Sequence, residues 1–168
     1  MKNIEKVSLS LTIVISLVIQ TSHAAEDQDA AKLAKASKLI DSRKPKPAAL
    51  LLRQIIRSNP NNAEAHMQLG AALAALAENE KDDDAISEEQ LAINLDPSSS
   101  GAHRMLGMIY SNQKKLDESI VELTEACKLK PSSFAAQRDL STAYAAAGKI
   151  DDAILTLKKA VELKPDNF

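Results

Sequence analysis

Two of the three histidines, His66 and His103, the single cysteine, Cys127, and the acidic run Asp82-Asp83-Asp84 are side chains whose types could do chemistry. A metal site built on either histidine needs further ligands close by, and neither has an HxxxH or HxxE partner. The acidic run lacks the DxDxDG spacing and the distal Glu of a calcium loop. It reads as a solvated turn that charges a helix start. One cysteine excludes an intrachain disulfide and a multi-cysteine zinc site. No GxSxG, Gly-rich phosphate loop or carboxylate pair is present. The expectation is therefore no catalytic residue, no metal and no cofactor. An enzyme, or the dedicated subunit of one, would need a polar cluster that the chain does not display.

The composition points the same way. Of 168 residues, 45% are hydrophobic, which rules out a fully disordered chain. Aromatics are only 2%, namely Tyr110, Tyr144, Phe134 and Phe168, with no Trp. The apolar content is Ala, Leu and Ile, and few β-branched runs lie beyond the N-terminus, which favours helix over sheet. The formal net charge is −2. A near-neutral, slightly acidic surface gives no electrostatic reason to bind nucleic acid.

Residues 1–24 read as a secretory leader. Lys2 and Lys6 start it, an apolar stretch runs from Leu9 to Ile19, and Ser22 and Ala24 supply the small residues for cleavage after Ala24. An apolar core of roughly 11 residues falls short of the about 20 that a relaxed spanning helix needs. The alternative is an uncleaved anchor. No cysteine follows the cleavage region, which argues against a lipid anchor. Once the leader is removed, no stable membrane span is expected, and the mature protein is expected to be periplasmic or secreted. Without Lys2, Lys6 and Glu5 it keeps 19 basic and 22 acidic residues, a balance of −3.

A period of about 34 governs residues 25–168, the expected domain. Pro60, Pro97, Pro131 and Pro165 are spaced 37, 34 and 34 residues apart. The markers in residues 100–133 are His103, Leu106-Gly107, Tyr110, Ser119, Leu123, Ala126 and Pro131. In 134–167 they are Gln137, Leu140-Ser141, Tyr144, Ala153, Leu157, Ala160 and Pro165. In 63–99 they are His66, Leu69-Gly70, Leu73, Ala85, Ala92 and Pro97. This set resembles the tetratricopeptide repeat family, whose pattern is Trp-x2-Leu-Gly-x2-Tyr, then Ala-x3-Phe, Ala and Pro. The resemblance implies an all-α fold, a right-handed α-solenoid of helix-turn-helix repeats. The unit over 29–62 is degenerate, with Lys35 at the usual Leu, and the second unit carries three extra residues within Glu78–Asp84. His66 and His103 read as polar stand-ins for the missing Trp. Cys127, matched by Ile93 and Val161 in its neighbours, reads as a buried free thiol.

Periodicity supports the hairpins without the family. Met105, Leu106, Ile109 and Tyr110 share one helical face, and Ile120, Leu123, Cys127 and Leu129 share another. Asn61-Asn62, Ser98–Ser100 and Ser132-Ser133 can cap first helices. Asp117-Glu118 and Asp151-Asp152 stand where carboxylates oppose the positive end of a helix dipole. Each proline stops a second helix.

The resemblance also implies that first helices line an inner groove, here through Met67, Ala71, Arg104, Met108, Ser111, Asn112, Arg138 and Thr142. Arg104 and Arg138 share a repeat position. Guanidinium forks suit carboxylates, and the soft residues beside them suit an apolar helix or extended peptide. The alternative is that both arginines are solvated or pair with acids such as Asp139. At the other end, Ile154, Leu155, Leu157 and Val161 are expected to form an exposed apolar edge that docks a partner or a second copy. The function that follows is a non-catalytic scaffold or assembly factor for a protein or peptide partner outside the cytoplasm. The alternatives are a structural homo-oligomer, or an accessory subunit of an envelope enzyme or secretion complex.

Overall fold

The computed structural model describes residues 26–76 and 83–163. The expected leader lies outside these residues, as does most of the extra turn of the second unit. Among the described residues there are eight α-helices and no strand. α1 covers 26–41. It is followed by α2 (Pro45–Ser58), α3 (Ala63–Ala74), α4 (Asp83–Leu95), α5 (Ser100–Asn112), α6 (Leu116–Leu129), α7 (Phe134–Ala146) and α8 (Ile150–Leu163). No helix among them is long and apolar enough to cross a membrane.

Local chemistry sets the boundaries. The side chains of Asn62, Ser99 and Ser133 accept the backbone N–H groups of Ala65, Ala102 and Ala136 at 2.9, 3.4 and 3.2 Å. Each satisfies one of the donors left over at a helix start. α4, α6 and α8 instead open on acidic first turns, Asp83-Asp84, Asp117-Glu118 and Asp151-Asp152. α2, α4 and α6 each end two residues before Pro60, Pro97 or Pro131, as the period predicts. Two residues past the ends of α1, α5 and α7 stand Arg43, Lys114 and Gly148, all at positive φ. There the next N–H groups, from Lys44, Lys115 and Lys149, reach back to Leu39, Tyr110 and Tyr144 carbonyls. Of the three, only Gly148 lacks the Cβ that opposes this conformation.

Pairs α3–α4, α5–α6 and α7–α8 pack as hairpins. Each second helix also meets the next first helix, and α3, α5 and α7 touch in succession. The result is an all-α helical repeat solenoid. One apolar cluster joins Ala36 of α1 to Ala48, Leu52 and Ile55 of α2 and Ala65, Leu69 and Ala72 of α3. Another joins Ile120, Leu123, Ala126 and Cys127 of α6 to Ala136, Leu140 and Ala143 of α7. The degenerate first unit is thus fully built into the stack. Its Lys35 is exposed, where the family's Leu would face inward.

One face assignment fails. Leu129 is exposed rather than sharing the buried face of Ile120, Leu123 and Cys127. At about 100° per residue it lies two steps past Cys127, on the far side of the helix. Ala126 takes the buried place instead.

Candidate binding site on the helical repeats

The close approach of first and second helices positions the rest of the site. A Cβ on Gly107 would stand 2.7 Å from Leu123 Cγ, so α5 and α6 seat against each other only because that atom is missing. A Cβ on Gly101 would meet Met67 Sδ at 2.7 Å, so the Met67 side chain of α3 lies against the start of α5. Ser99 Oγ reaches that sulfur at 3.8 Å.

Along this inner layer, Met67, Ala71, Arg104, Met108 and Ser111 are half-buried, while Asn112, Arg138 and Thr142 are exposed. The two arginines converge on a residue of their own chain. Arg104 Nη1 donates to Asp139 Oδ2 at 2.7 Å, and Arg138 donates from Nε and Nη2 to Asp139 Oδ1 at 3.1 and 2.7 Å. The Asp139 side chain is 10% exposed, against 28% for Arg104 and 51% for Arg138. Two guanidiniums on one carboxylate leave a local charge of about +1 and unused donors on the more exposed Arg138. Arg104 Nη1 also touches Met108 Sδ at 3.3 Å. Thr142 Oγ1 donates to the Arg138 carbonyl at 3.0 Å and so stays with its own helix. The arrangement sets a positively biased cluster beside half-buried Met67, Met108 and Ala71.

The histidines lie elsewhere. His66 Nε2 donates to the Pro60 carbonyl at 2.8 Å and Nδ1 meets Glu88 Oε2 at 2.5 Å. His103 Nδ1 meets Glu122 Oε2 at 2.7 Å. Each pair latches a first helix to its second. The same pairing, separated by 22 residues in one unit and 19 in the next, absorbs the three-residue turn insertion. Among the described residues no group of three His, Cys, Asp or Glu could hold a metal ion. Cys127 is buried, and burial pushes its thiol up to about 11, with Asp139 adding to the shift.

The most perturbed group is one that sequence reading missed. Glu89 is completely buried, belongs to neither apolar cluster, and neither carboxylate oxygen has a hydrogen-bond partner. It rests on Gly70 as Leu123 rests on Gly107. Its pKa is raised from the ordinary 4.5 to about 9, chiefly by burial, with Glu88 and Glu64 adding to the shift and Arg104 opposing it. The signal was available. Leu52, Glu89, Leu123 and Leu157 share the 37, 34, 34 spacing of the prolines, so Glu89 is the charged exception at a leucine position.

The apolar edge on α8 is present but divided. Ile154, Leu157 and Val161 line one open concavity of about 380 Å³ together with Lys158 and Glu162. Leu155 points away from them into a second groove, shared with α6 and α7.

A family model described as Tetratricopeptide repeat matches residues 33–102 and 104–168. The chain belongs to the tetratricopeptide repeat family. Among curated proteins none matches it. Among solved structures it is similar to MamA, at 26% identity with a TM-score of 0.69, covering 82% of this chain and 78% of that one. It is similar in fold to a thermophilic tetratricopeptide protein of Thermus thermophilus, at 22% identity and a TM-score of 0.75, covering 83% and 75%. It is likewise similar in fold to PilF of Pseudomonas aeruginosa, at 19% identity and a TM-score of 0.78, covering 86% and 64%. Proteins of this family commonly serve as interaction scaffolds.

Proposed function

We propose that this tetratricopeptide protein is a non-catalytic scaffold that acts outside the cytoplasm and holds a protein or peptide partner in a trough along α3, α5 and α7. The observation that carries the reading is the pair of arginines sharing one carboxylate. A partner carboxylate entering the trough replaces or joins Asp139 at donors already aimed and partly desolvated. Met67, Met108 and Ala71 offer adaptable apolar contact beside it. A similar structure, Naa15/Naa10 bound to HypK-THB, is of a protein assembly. Action outside the cytoplasm rests on the leader-like residues 1–24. Cell fractionation with mass spectrometry of the mature N-terminus tests it, and an intact Met1 in the cytoplasm would refute it.

The binding test uses the partner recovered by crosslinking from the exported fraction. Replacing Arg104 and Arg138 by Ala is expected to raise the Kd for that partner about tenfold or more. An unchanged Kd, with helicity preserved by circular dichroism, would remove the trough from consideration.

A second reading has its own observation. Ile154, Leu157 and Val161 stand exposed together on α8, as contact surfaces do. Self-association through this face would give a mass that rises with concentration in sedimentation velocity and is abolished by Val161→Asp. A concentration-independent monomer would rule it out.

A further inference from the structure

The repeats place equivalent residues at equivalent points, so a position that departs from its counterparts marks a local difference in the surface. The His–Glu latch is such a case. His66 and Glu88 form it in one unit, His103 and Glu122 in the next. The corresponding residues of the last unit are Gln137 and Thr156, each 34 positions after its counterpart. Gln137 keeps half of the histidine's role, since its Nε2 reaches the Pro131 carbonyl at 3.5 Å, as His66 Nε2 reaches Pro60. Its side chain bonds Pro131 rather than Thr156, so the latch is replaced here.

Gln137 and Thr156 line a groove. It lies between α6 and α8 with α7 as its floor, encloses about 550 Å³, and is lined by Gln137, Leu140, Tyr144, Leu155 and Thr156 among others. That volume falls in the range of small-ligand sites, roughly 300–1,000 Å³. Gln137 and Thr156 are only 8% and 7% exposed. Both line the groove, Gln137 with its Nε2 turned to the Pro131 carbonyl. Tyr144 differs from its counterpart in its surroundings. Gln90 reaches Tyr110 Oη at 3.5 Å, whereas the residue equivalent to Gln90 beside Tyr144 is Thr124. The floor therefore presents an amide acceptor and two hydroxyls that both donate and accept, beside apolar Leu140 and Leu155. The charged groups around it are balanced, Lys128 and Lys159 against Asp152 and Glu162. A balanced rim does not select a polyanion or a polycation.

We propose that this groove binds an extended, uncharged peptide segment of a partner protein, its main chain hydrogen-bonded to Gln137 and Thr156 and an apolar side chain set against Leu140 and Leu155. A main chain offers alternating N–H donors and C=O acceptors, the complement of this floor. The proposal rests on the scaffold reading above but assigns a different surface, on the other side of the inner helices from the arginine trough.

The test restores the latch. A phage-displayed library of random linear peptides is selected on the full chain, and enriched peptides are synthesised and measured by fluorescence anisotropy. The double variant Q137H/T156E rebuilds the pair found in the two preceding units and is expected to raise Kd about tenfold or more. Leu155→Asp, on a side chain that is 57% exposed and so safe for folding, is expected to weaken binding in the same direction. Amide shifts in ¹H–¹⁵N spectra should fall on Leu140, Tyr144 and Thr156. Binding unchanged in both variants would overturn the proposal. So would shifts confined to Arg104, Met108 and Thr142, an outcome that leaves the scaffold reading standing. Failure to enrich any peptide would count against both.

Discussion

Glu89 turns the fold into a pH-dependent one, and the size of the effect follows from its site. Its carboxyl titrates near 4.5 when unfolded and near 9 when folded, because burial against Gly70 strips its solvent and Glu88 and Glu64 oppose a further negative charge. Between these values the folded chain holds one proton more than the unfolded chain. The group's contribution is therefore fully present below pH 4.5 and is lost as pH rises toward 9. The slope is about 1.4 kcal/mol per pH unit, so this one residue removes about 4 kcal/mol between about pH 5 and pH 8. That is a large part of the roughly 5–15 kcal/mol on which a typical domain stands. Arg104 pulls the other way, but it is already committed to Asp139. Leu is the residue at the equivalent place in the other units, and Glu89→Leu should stabilise the protein by about 3 kcal/mol at about pH 7. Urea unfolding followed by circular dichroism at several pH values from about 5 to 8 measures this. The gap between the native chain and the variant should widen steadily with pH. Glu89→Gln, which cannot ionise, should remove the same slope. A gap that stays flat across that range would mean that Glu89 is ionised inside the fold, and would refute the reasoning.

Further substitutions probe single features. Gly107→Ala should cost about 1–3 kcal/mol in urea unfolding, because the new Cβ would sit 2.7 Å from Leu123 Cγ with α6 backbone close behind. Ser119→Ala should stabilise by about 1 kcal/mol, since its hydroxyl is fully buried without a partner and Ala48, Ala85 and Ala153 fill the same place elsewhere. Lys114→Gly should raise the melting temperature, relieving about 1 kcal/mol of left-handed backbone strain at φ 62°; no change would show that the turn relaxes on its own. His66→Ala should cost about 1–3 kcal/mol, and more than His103→Ala, because it strands the Pro60 carbonyl as well as Glu88.

The hairpins, their caps and their stops are legible in the sequence because each is set within a few residues. Asn62, Ser99 and Ser133 are the caps, and Pro60, Pro97 and Pro131 follow the helix ends at a constant distance. The histidines read from sequence as polar substitutes for an aromatic, but their carboxylate partners lie 19 and 22 residues away on another helix. No local pattern specifies that distance; the hairpin does. The arginine cluster is legible as positions and not as chemistry. Asp139 adjoins Arg138 in sequence, yet its bond to Arg104 spans two units and needs the stack to be built. The α8 edge reads from sequence as one stripe, whereas helical rotation sends Leu155 to the opposite side from Ile154, Leu157 and Val161.

Repetition supplies the control that a single domain lacks. Each helix position occurs in several units with similar neighbours, so one deviant residue can be weighed against counterparts that the same packing accepts. Glu89 and the Gln137–Thr156 pair are deviants of opposite kinds. At Glu89 a protonated carboxyl lies fully buried where Leu52 and Leu123 are buried in other units. Reverting it should change stability and its pH slope while leaving peptide affinity at the last unit unaltered. At Gln137 and Thr156 a bonded pair has been exchanged for polar atoms that face an open groove. Reverting them should preserve the fold, since two other units carry that pair, and should cost affinity. If instead Glu89→Leu weakened peptide binding as much as Q137H/T156E, the repeats would be energetically coupled along the stack, and treating each unit as an independent control would fail.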